Sequence, residues 1–207
     1  MEEIFDIVDE RGEPTGRTVA RSEAHDKGIL HRTSHIWVIR KEQGRWQVLL
    51  QKRSMDKDSF PGGLDTSSAG HITAGDDPLH AARRELFEEL GIDAGEDGLI
   101  PVGTFRISYE AEFRGKPFRD NEVTFVYVYD RPVDVRDLVL QKSEVDAADW
   151  YDFLGTVERV KARDPRYVIP SSGLRTLGGY LGFDMDALLP KRPGKDRAET
   201  VFGRRDE

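Results

Sequence analysis

Between Gly70 and Ile92 the chain reads GHITAGDDPLHAARRELFEELGI, and this stretch restricts the fold more than any other. Asp77 is suited to cap a helix N-terminus, Pro78 to occupy its first turn, and Gly91 to end it in a left-handed turn. Leu79, Ala82, Leu86 and Leu90 recur at spacings of three and four, so one stripe of this helix is buried. Glu85, Glu88 and Glu89 lie beside that stripe, with Glu89 about 40° from Glu85 around the axis and Glu88 about 60° to its other side. Like charges so placed cost a few tenths of a kcal/mol per pair, and they sit near the helix end where the macrodipole disfavours acids. Two readings remain. The cluster is a solvated acidic face eased by Arg84 four residues before Glu88, or it grips a hard divalent cation that prefers oxygen ligands and shares them with phosphates.

The frame around the glutamates favours the cation. Gly70 is followed after five residues by Asp76, after seven more by Arg84-Glu85-Leu86, and then by Glu88-Glu89 and Gly91-Ile92. This spacing resembles the signature of the Nudix hydrolases, departing from it at Asp76, where the family usually has glutamate. The resemblance implies an α/β/α sandwich from about residue 30 to 165. It implies that Glu85, Glu88 and Glu89, helped by the Gly70 carbonyl, hold Mg²⁺, or Mn²⁺ in its place, and that one glutamate serves as base. Arg84 would orient a glutamate through charge-assisted hydrogen bonds. Glu122, at the start of a later strand, is a further candidate ligand or base, or simply an acid at a strand end. Asp76, one methylene short, would tune the site.

A second resemblance narrows the branch. The segment VLLQKRSMDKDSFPGGLDTSSAGHI is similar to the matching region of isopentenyl-diphosphate isomerases and their hydrolase relatives within the superfamily. There, basic residues matching Arg53 and Lys57 hold a substrate diphosphate. Histidines matching His25, His31 and His71, with acids matching Asp120 and Glu122, form a metal site. Isomerisation also needs an acid able to protonate an alkene, a cysteine in the segment that here reads Thr66-Ser67-Ser68-Ala69. This chain has no cysteine, so it has no thiolate metal site, disulfide or cysteine nucleophile either. A hydroxyl is too weak an acid to stand in. The complete glutamate set and the missing thiol both favour hydrolysis.

Elsewhere the pattern is that of a mixed α/β domain. Ile4–Val8 and Thr18–Ala20 read as a hairpin across the turn-rich residues 10–16. Ser34–Arg40 and Trp46–Lys52 read as paired strands, and Leu99–Glu110 and Glu122–Tyr129 as two more around the turn Gly115-Lys116-Pro117. Asp152–Arg163 and Ser171–Leu181 read as helices. His35, Trp37, Trp46 and Trp150 suit packing, whereas Phe105, Tyr109 and Phe118 lie on segments able to border a pocket. The organisation expected is an N-terminal hairpin extension over 1–28, a Nudix-type domain over 29–165, a C-terminal helix over 166–189 and a loosely ordered charged tail over 190–207.

A net charge of −8 argues against a nucleic-acid partner. No apolar run approaches the roughly 20 residues that span a bilayer, and the acidic start lacks a signal-peptide layout. A cytoplasmic protein with no membrane partner is expected, and a homodimer is the oligomer to expect if it assembles. The expected activity is Mg²⁺-dependent hydrolysis of a diphosphate bond, in a nucleoside diphosphate linked to another group or in a simple nucleotide. An isomerase-like enzyme and a non-catalytic sensor of phosphorylated metabolites are the alternatives.

Overall fold

The computed structural model describes residues 2–57, 59–113 and 115–190. It opens with a hairpin, β1 (Ile4–Val8) and β2 (Pro14–Ala20), then helix α1 (Arg21–Lys27). Next come β3 (His31–Glu42), β4 (Arg45–Arg53), the short β5 (Leu64–Asp65) and β6 (Ser68–His71), and helix α2 (Pro78–Leu90). A long hairpin of β7 (Ile100–Phe113) and β8 (Lys116–Tyr129) leads to β9 (Val145–Asp152). Helices α3 (Phe153–Lys161), α4 (Ser171–Tyr180) and α5 (Met185–Leu188) follow.

The main sheet is ordered β5-β4-β3-β8-β7, with β6 on β3 and β9 on β4. β3 and β8 pair in parallel and their other partners are antiparallel. β3 is the axis of the molecule. Its first half pairs with β6 through Thr33–Ile36, and its second half pairs with β4 through Ile39–Glu42. Strand alternation sorts its side chains between two cores. Trp37 and Ile39 join the core under α3 and α4, with Phe153, Val157, Leu174 and Leu177. Ile36 and Val38 join the core under α2, with Ala82, Leu86 and Leu90. Helices thus cover both faces of one mixed sheet, the α/β/α sandwich expected.

Helix α2 forms where its caps predict. The Asp77 carboxylate accepts from the Leu79 and His80 N–H groups at 2.9 and 3.0 Å, and Gly91 closes the helix at φ 72°. A Cβ at Gly91 would also come to 2.8 Å of Val139 Cβ. Other boundaries shift. β2 begins at Pro14 and β8 at Lys116, both inside the expected turns, because backbone pairing with β1 and β7 carries past the polar residues. α1, β5, β6 and β9 add to the elements expected, and β9 pairs with β4 through the whole run Gln47–Arg53. Apart from Pro190, the expected tail lies outside the described residues.

Candidate active site

The strand β6 and the helix α2 are the two ends of the Gly70–Ile92 stretch, and they fold back on each other. Glu89 is buried against the sheet. Its Oε2 accepts from Gln51 Nε2 on β4 and from the Ala69 N–H on β6, both at 3.2 Å. Burial raises its carboxyl to about 7, with the Glu85 charge adding to the rise and the Ser68 side chain, the Lys57 ammonium and the Ala69 N–H offsetting it only in part. Glu85 faces Gly70 so closely that a Cβ there would come to 2.6 Å of Glu85 Cγ and nearer still to its carboxyl group. Gly70 needs no unusual backbone angle; the position needs the absence of a side chain. Burial raises the Glu85 carboxyl too, against the pull of Arg84 and with the push of Glu88.

Arg84 ties the loop to the helix. It donates to Asp76 Oδ2 at 2.5 Å and to Glu85 Oε1 at 3.2 Å. Asp76 also bonds His80 Nδ1 at 2.7 Å. Burial alone would raise Asp76, but His80 and Arg84 outweigh it and hold the carboxylate below its ordinary value. The shorter acid at the position where the family usually has glutamate therefore still reaches the arginine directly. Glu88, in contrast, is exposed. The three acids expected on one face differ in burial: Glu85 and Glu89, four residues apart, turn inward to β6, and Glu88 is exposed, although its charge still reaches Glu85.

The carboxylate oxygens of Glu85, Glu88 and Glu89 do not converge within 4.8 Å of one another. Among the described residues, the ligand atoms that converge within 4.8 Å in threes are those of His25, His31 and His71, and those of His31, Asp120 and Glu122. His25 Nδ1 lies 2.9 Å from the Arg21 carbonyl and His31 Nδ1 lies 2.8 Å from that of Ile29. A carbonyl only accepts, so each Nδ1 carries the proton and each Nε2 presents a lone pair inward. His31 Nε2 and His71 Nε2 are each 3.9 Å from Glu122 Oε1, and His25 Nε2 is 3.8 Å from Asp120 Oδ1. Those separations are too long for hydrogen bonds. They suit two ligands that each stand about 2 Å from one ion. His31 Nε2, His71 Nε2 and Asp120 Oδ1 are buried without a hydrogen-bond partner. Burial lowers all three histidines, His71 well below its ordinary value, and raises Asp120 to about 7, with the Glu122 charge adding to the rise. The donor set fits a borderline transition metal better than Mg²⁺. Glu122, which also accepts from Thr33 Oγ1 at 3.0 Å, is thereby placed with the histidines rather than with the α2 glutamates.

The two expected substrate cations are already engaged. Arg53 donates to the Ser59 carbonyl at 3.0 and 3.2 Å and pairs with Asp65 at 3.3 Å. Lys57 pairs with Glu144, although its charge still reaches Glu89 and His71. His35 and Trp37 are buried in the sheet, as their apolar neighbours suggest. Tyr109 and Phe118 pack together with Phe60 and Phe113 beside the histidines, and the Phe118 ring stacks on His25 at 4.5 Å. Gln51 is the site residue that motif reading passes over. Its signal is a polar side chain in the middle of the apolar run VLLQK.

Comparison with known proteins accords with this layout. A NUDIX domain model matches residues 30–170. Nudix hydrolase 3 of Arabidopsis thaliana is 39% identical over 81% of this chain, and the matched region spans only 21% of that protein. A Nudix hydrolase of Clostridium acetobutylicum is 39% identical over 70% of this chain and 67% of its own length. An isopentenyl-diphosphate Delta-isomerase of Dinoroseobacter shibae is 30% identical over 73% of this chain and 80% of its own. A crystal structure from Deinococcus radiodurans aligns with a TM-score of 0.60 at 22% identity, covering 77% of this chain and 90% of that one. At that identity the likeness is one of fold.

Proposed function

The chain belongs to the NUDIX-domain family, and on that premise we propose that it hydrolyses a phosphoanhydride with the help of Mg²⁺ or Mn²⁺. The substrate class is a nucleoside diphosphate linked to another group, or a simple nucleotide. The observation that carries this reading is the inward pair Glu85 and Glu89, held against β6 by Gln51, the Ala69 N–H and Arg84. A carboxyl raised to about 7 by burial is a charge that the protein alone stabilises poorly. An oxygen-only donor set of this kind fits a hard divalent cation. Glu85, Glu88, Glu89 and the Gly70 carbonyl would hold it.

When bound, such a cation neutralises diphosphate oxygens and makes a water more acidic. The rest of the work belongs to the chain. Arg84 fixes the direction of Glu85 from the outside while Gly70 leaves room for it on the inside. Gln51 and Ala69 fix Glu89. Exposed Glu88 would complete the donor set from the solvent side. In the hydrolytic step a water oxygen bonds to phosphorus, the bridging P–O bond breaks, and a glutamate takes the water's proton. Lys57 and Arg53, once drawn from Glu144 and Asp65, would meet the anionic substrate.

The histidine cluster favours a second reading, an isomerase-like reaction. Against it stands the segment Thr66–Ala69. Ser67 Oγ donates to the Leu49 carbonyl at 2.6 Å and accepts from the Val38 N–H at 2.8 Å, and Thr66 Oγ1 donates to the Ile36 carbonyl at 3.3 Å. The Thr66 and Ser67 hydroxyls are spent on holding strands together, Ala69 has none, and the buried Ser68 hydroxyl is too weak an acid to protonate an alkene. The deciding experiment is a panel of nucleoside di- and triphosphates, nucleotide sugars, dinucleotides and isoprenoid diphosphates with Mg²⁺, read by mass spectrometry. Cleaved nucleotide products are expected. An isomerised isoprenoid, or a nucleotide bound one-to-one and recovered intact, would displace the hydrolase reading.

A further inference from the structure

The N-terminal hairpin lies outside the glutamate motif, yet three consecutive residues of β1 grip the loop that leads into α2. The Ile4 carbonyl accepts from the Ala74 N–H at 2.8 Å. Phe5 forms an isolated antiparallel bridge with Thr73. Asp6 Oδ2 accepts from the Gly75 N–H at 2.8 Å and from Arg32 Nη2 at 2.8 Å. That same arginine nitrogen donates to the Asp76 carbonyl at 3.2 Å. Asp6 and Arg32 are both buried, with residue exposures of 8% and 6%. Beyond the loop the contacts continue in one line, from Asp76 to Arg84 and from Arg84 to Glu85.

A buried acid between Phe5 and Ile7 is costly, and a fold that needed only packing there would use an apolar residue. The two hydrogen bonds to the loop backbone give the charge a purpose. They set where residues 75 and 76 stand, and so where the Asp76 carboxylate meets Arg84. We infer that the Asp6–Arg32 pair is a clamp for the glutamate helix, and that Asp6 and Arg32 are positioning residues for Glu85, acting through the loop backbone, Asp76 and Arg84. This inference rests on the proposed role of Glu85.

The test uses the full chain with Asp6→Asn and with the double variant Asp6→Leu/Arg32→Met. The double variant removes both charges together, so no unpaired buried ion remains to unfold it. Mn²⁺ binding is followed by electron paramagnetic resonance with each variant and its reference protein carrying His71→Ala, so that the histidine cluster does not contribute, and turnover by Mg²⁺ titration, well below the melting temperature of each variant. Loss of partners that orient metal ligands typically costs about 10- to 100-fold in affinity or activity. The expected result is therefore an about 10-fold weaker Mn²⁺ affinity, a matching rise in half-saturating Mg²⁺, and a fall in kcat larger than the change in KM. A folded double variant within twofold of its reference in Mn²⁺ affinity and half-saturating Mg²⁺ overturns the clamp, and so does a reference that binds no Mn²⁺. A wild type that binds Mn²⁺ but cleaves nothing in the panel overturns the hydrolase reading, and the Mn²⁺ comparison still decides the clamp.

Discussion

Replacing Glu89 by glutamine should cut turnover by orders of magnitude, and its effect on the stability of the metal-free fold should grow more favourable as pH rises. Burial lifts the folded carboxyl from its ordinary 4.5 to about 7. A raised acid favours the native state only while protonated, so stability drains away as pH climbs from the unfolded to the folded value. By that linkage Glu89 costs the native state about 1 kcal/mol at pH 5 and about 3 kcal/mol at pH 8. Glutamine has no charge to bury. Its amide N–H groups bring a pH-independent cost of about 1–3 kcal/mol if they find no acceptor, so the difference between the two pH values is the clean quantity. That difference, about 2 kcal/mol, corresponds to about 4–8 °C in melting temperature for a chain of this size. Thermal melts of wild type and Glu89→Gln in a chelator at pH 5 and pH 8 measure it. In parallel, kcat should fall by about 10²–10⁴, and added Mg²⁺ should stabilise wild type more than the variant. A melting difference that is flat with pH would refute the argument that Glu89 is an uncompensated buried charge. Retained turnover would refute its place in the reaction.

Three further outcomes follow from the geometry. Gly70→Ala forces the Glu85 carboxyl back by about 1.5 Å to reach an ordinary contact distance, which should lower kcat by about 100-fold at modest cost in stability; in a Glu85→Ala background the same change should cost nothing more, as a double-mutant cycle would show. His71→Ala should lower the affinity for Zn²⁺ or Mn²⁺ at the histidine cluster by at least about 10-fold, measured as retained metal by mass spectrometry after dialysis; equal retention would remove the cluster as a metal centre. Gly91→Ala meets both a left-handed backbone and Val139, so it should destabilise by about 1–3 kcal/mol in denaturant melts.

What the amino-acid sequence discloses here divides along the range of the forces involved. Helix α2 is legible because its signals are local: Asp77, Pro78 and Gly91 act within a turn of where they stand. The central strands are legible because apolar β-branched runs leave little choice. Strand β6, Ser68–His71, has none of these marks. It becomes a strand because β3 offers it four partners and because Gly70 lets Glu85 approach; tertiary context overrides local preference. β9, with three aspartates in eight residues, is recruited in the same way by β4. At the site the motif singles out three glutamates, but it cannot say which turn inward, since that depends on Gln51 and Ala69. Asp6 and Gly75 are 69 positions apart, and no periodicity spans such a gap. The trace they leave is compositional, an acid inside IFDIV and an arginine inside HRTSHIW.

Strand alternation also explains why two polar centres can lie so close without merging. The β6 backbone offers its Ala69 N–H to Glu89, and Gly70 leaves the space that Glu85 fills. His71, one residue on, joins His31 and Glu122 instead. Because neighbouring residues of a strand project to opposite faces, four residues can supply one wall to each centre. β1 repeats the device one layer out. The Phe5 ring lies nearly parallel to the His31 and His71 rings, at 4.9 and 4.7 Å, while Asp6 holds the loop that leads to the glutamates. A shift of β6 by one residue would bring a Cβ against Glu85 and withdraw His71 from its partners in the same movement. The register of this four-residue strand is therefore set by both centres at once, more tightly than its own pairing energy would set it.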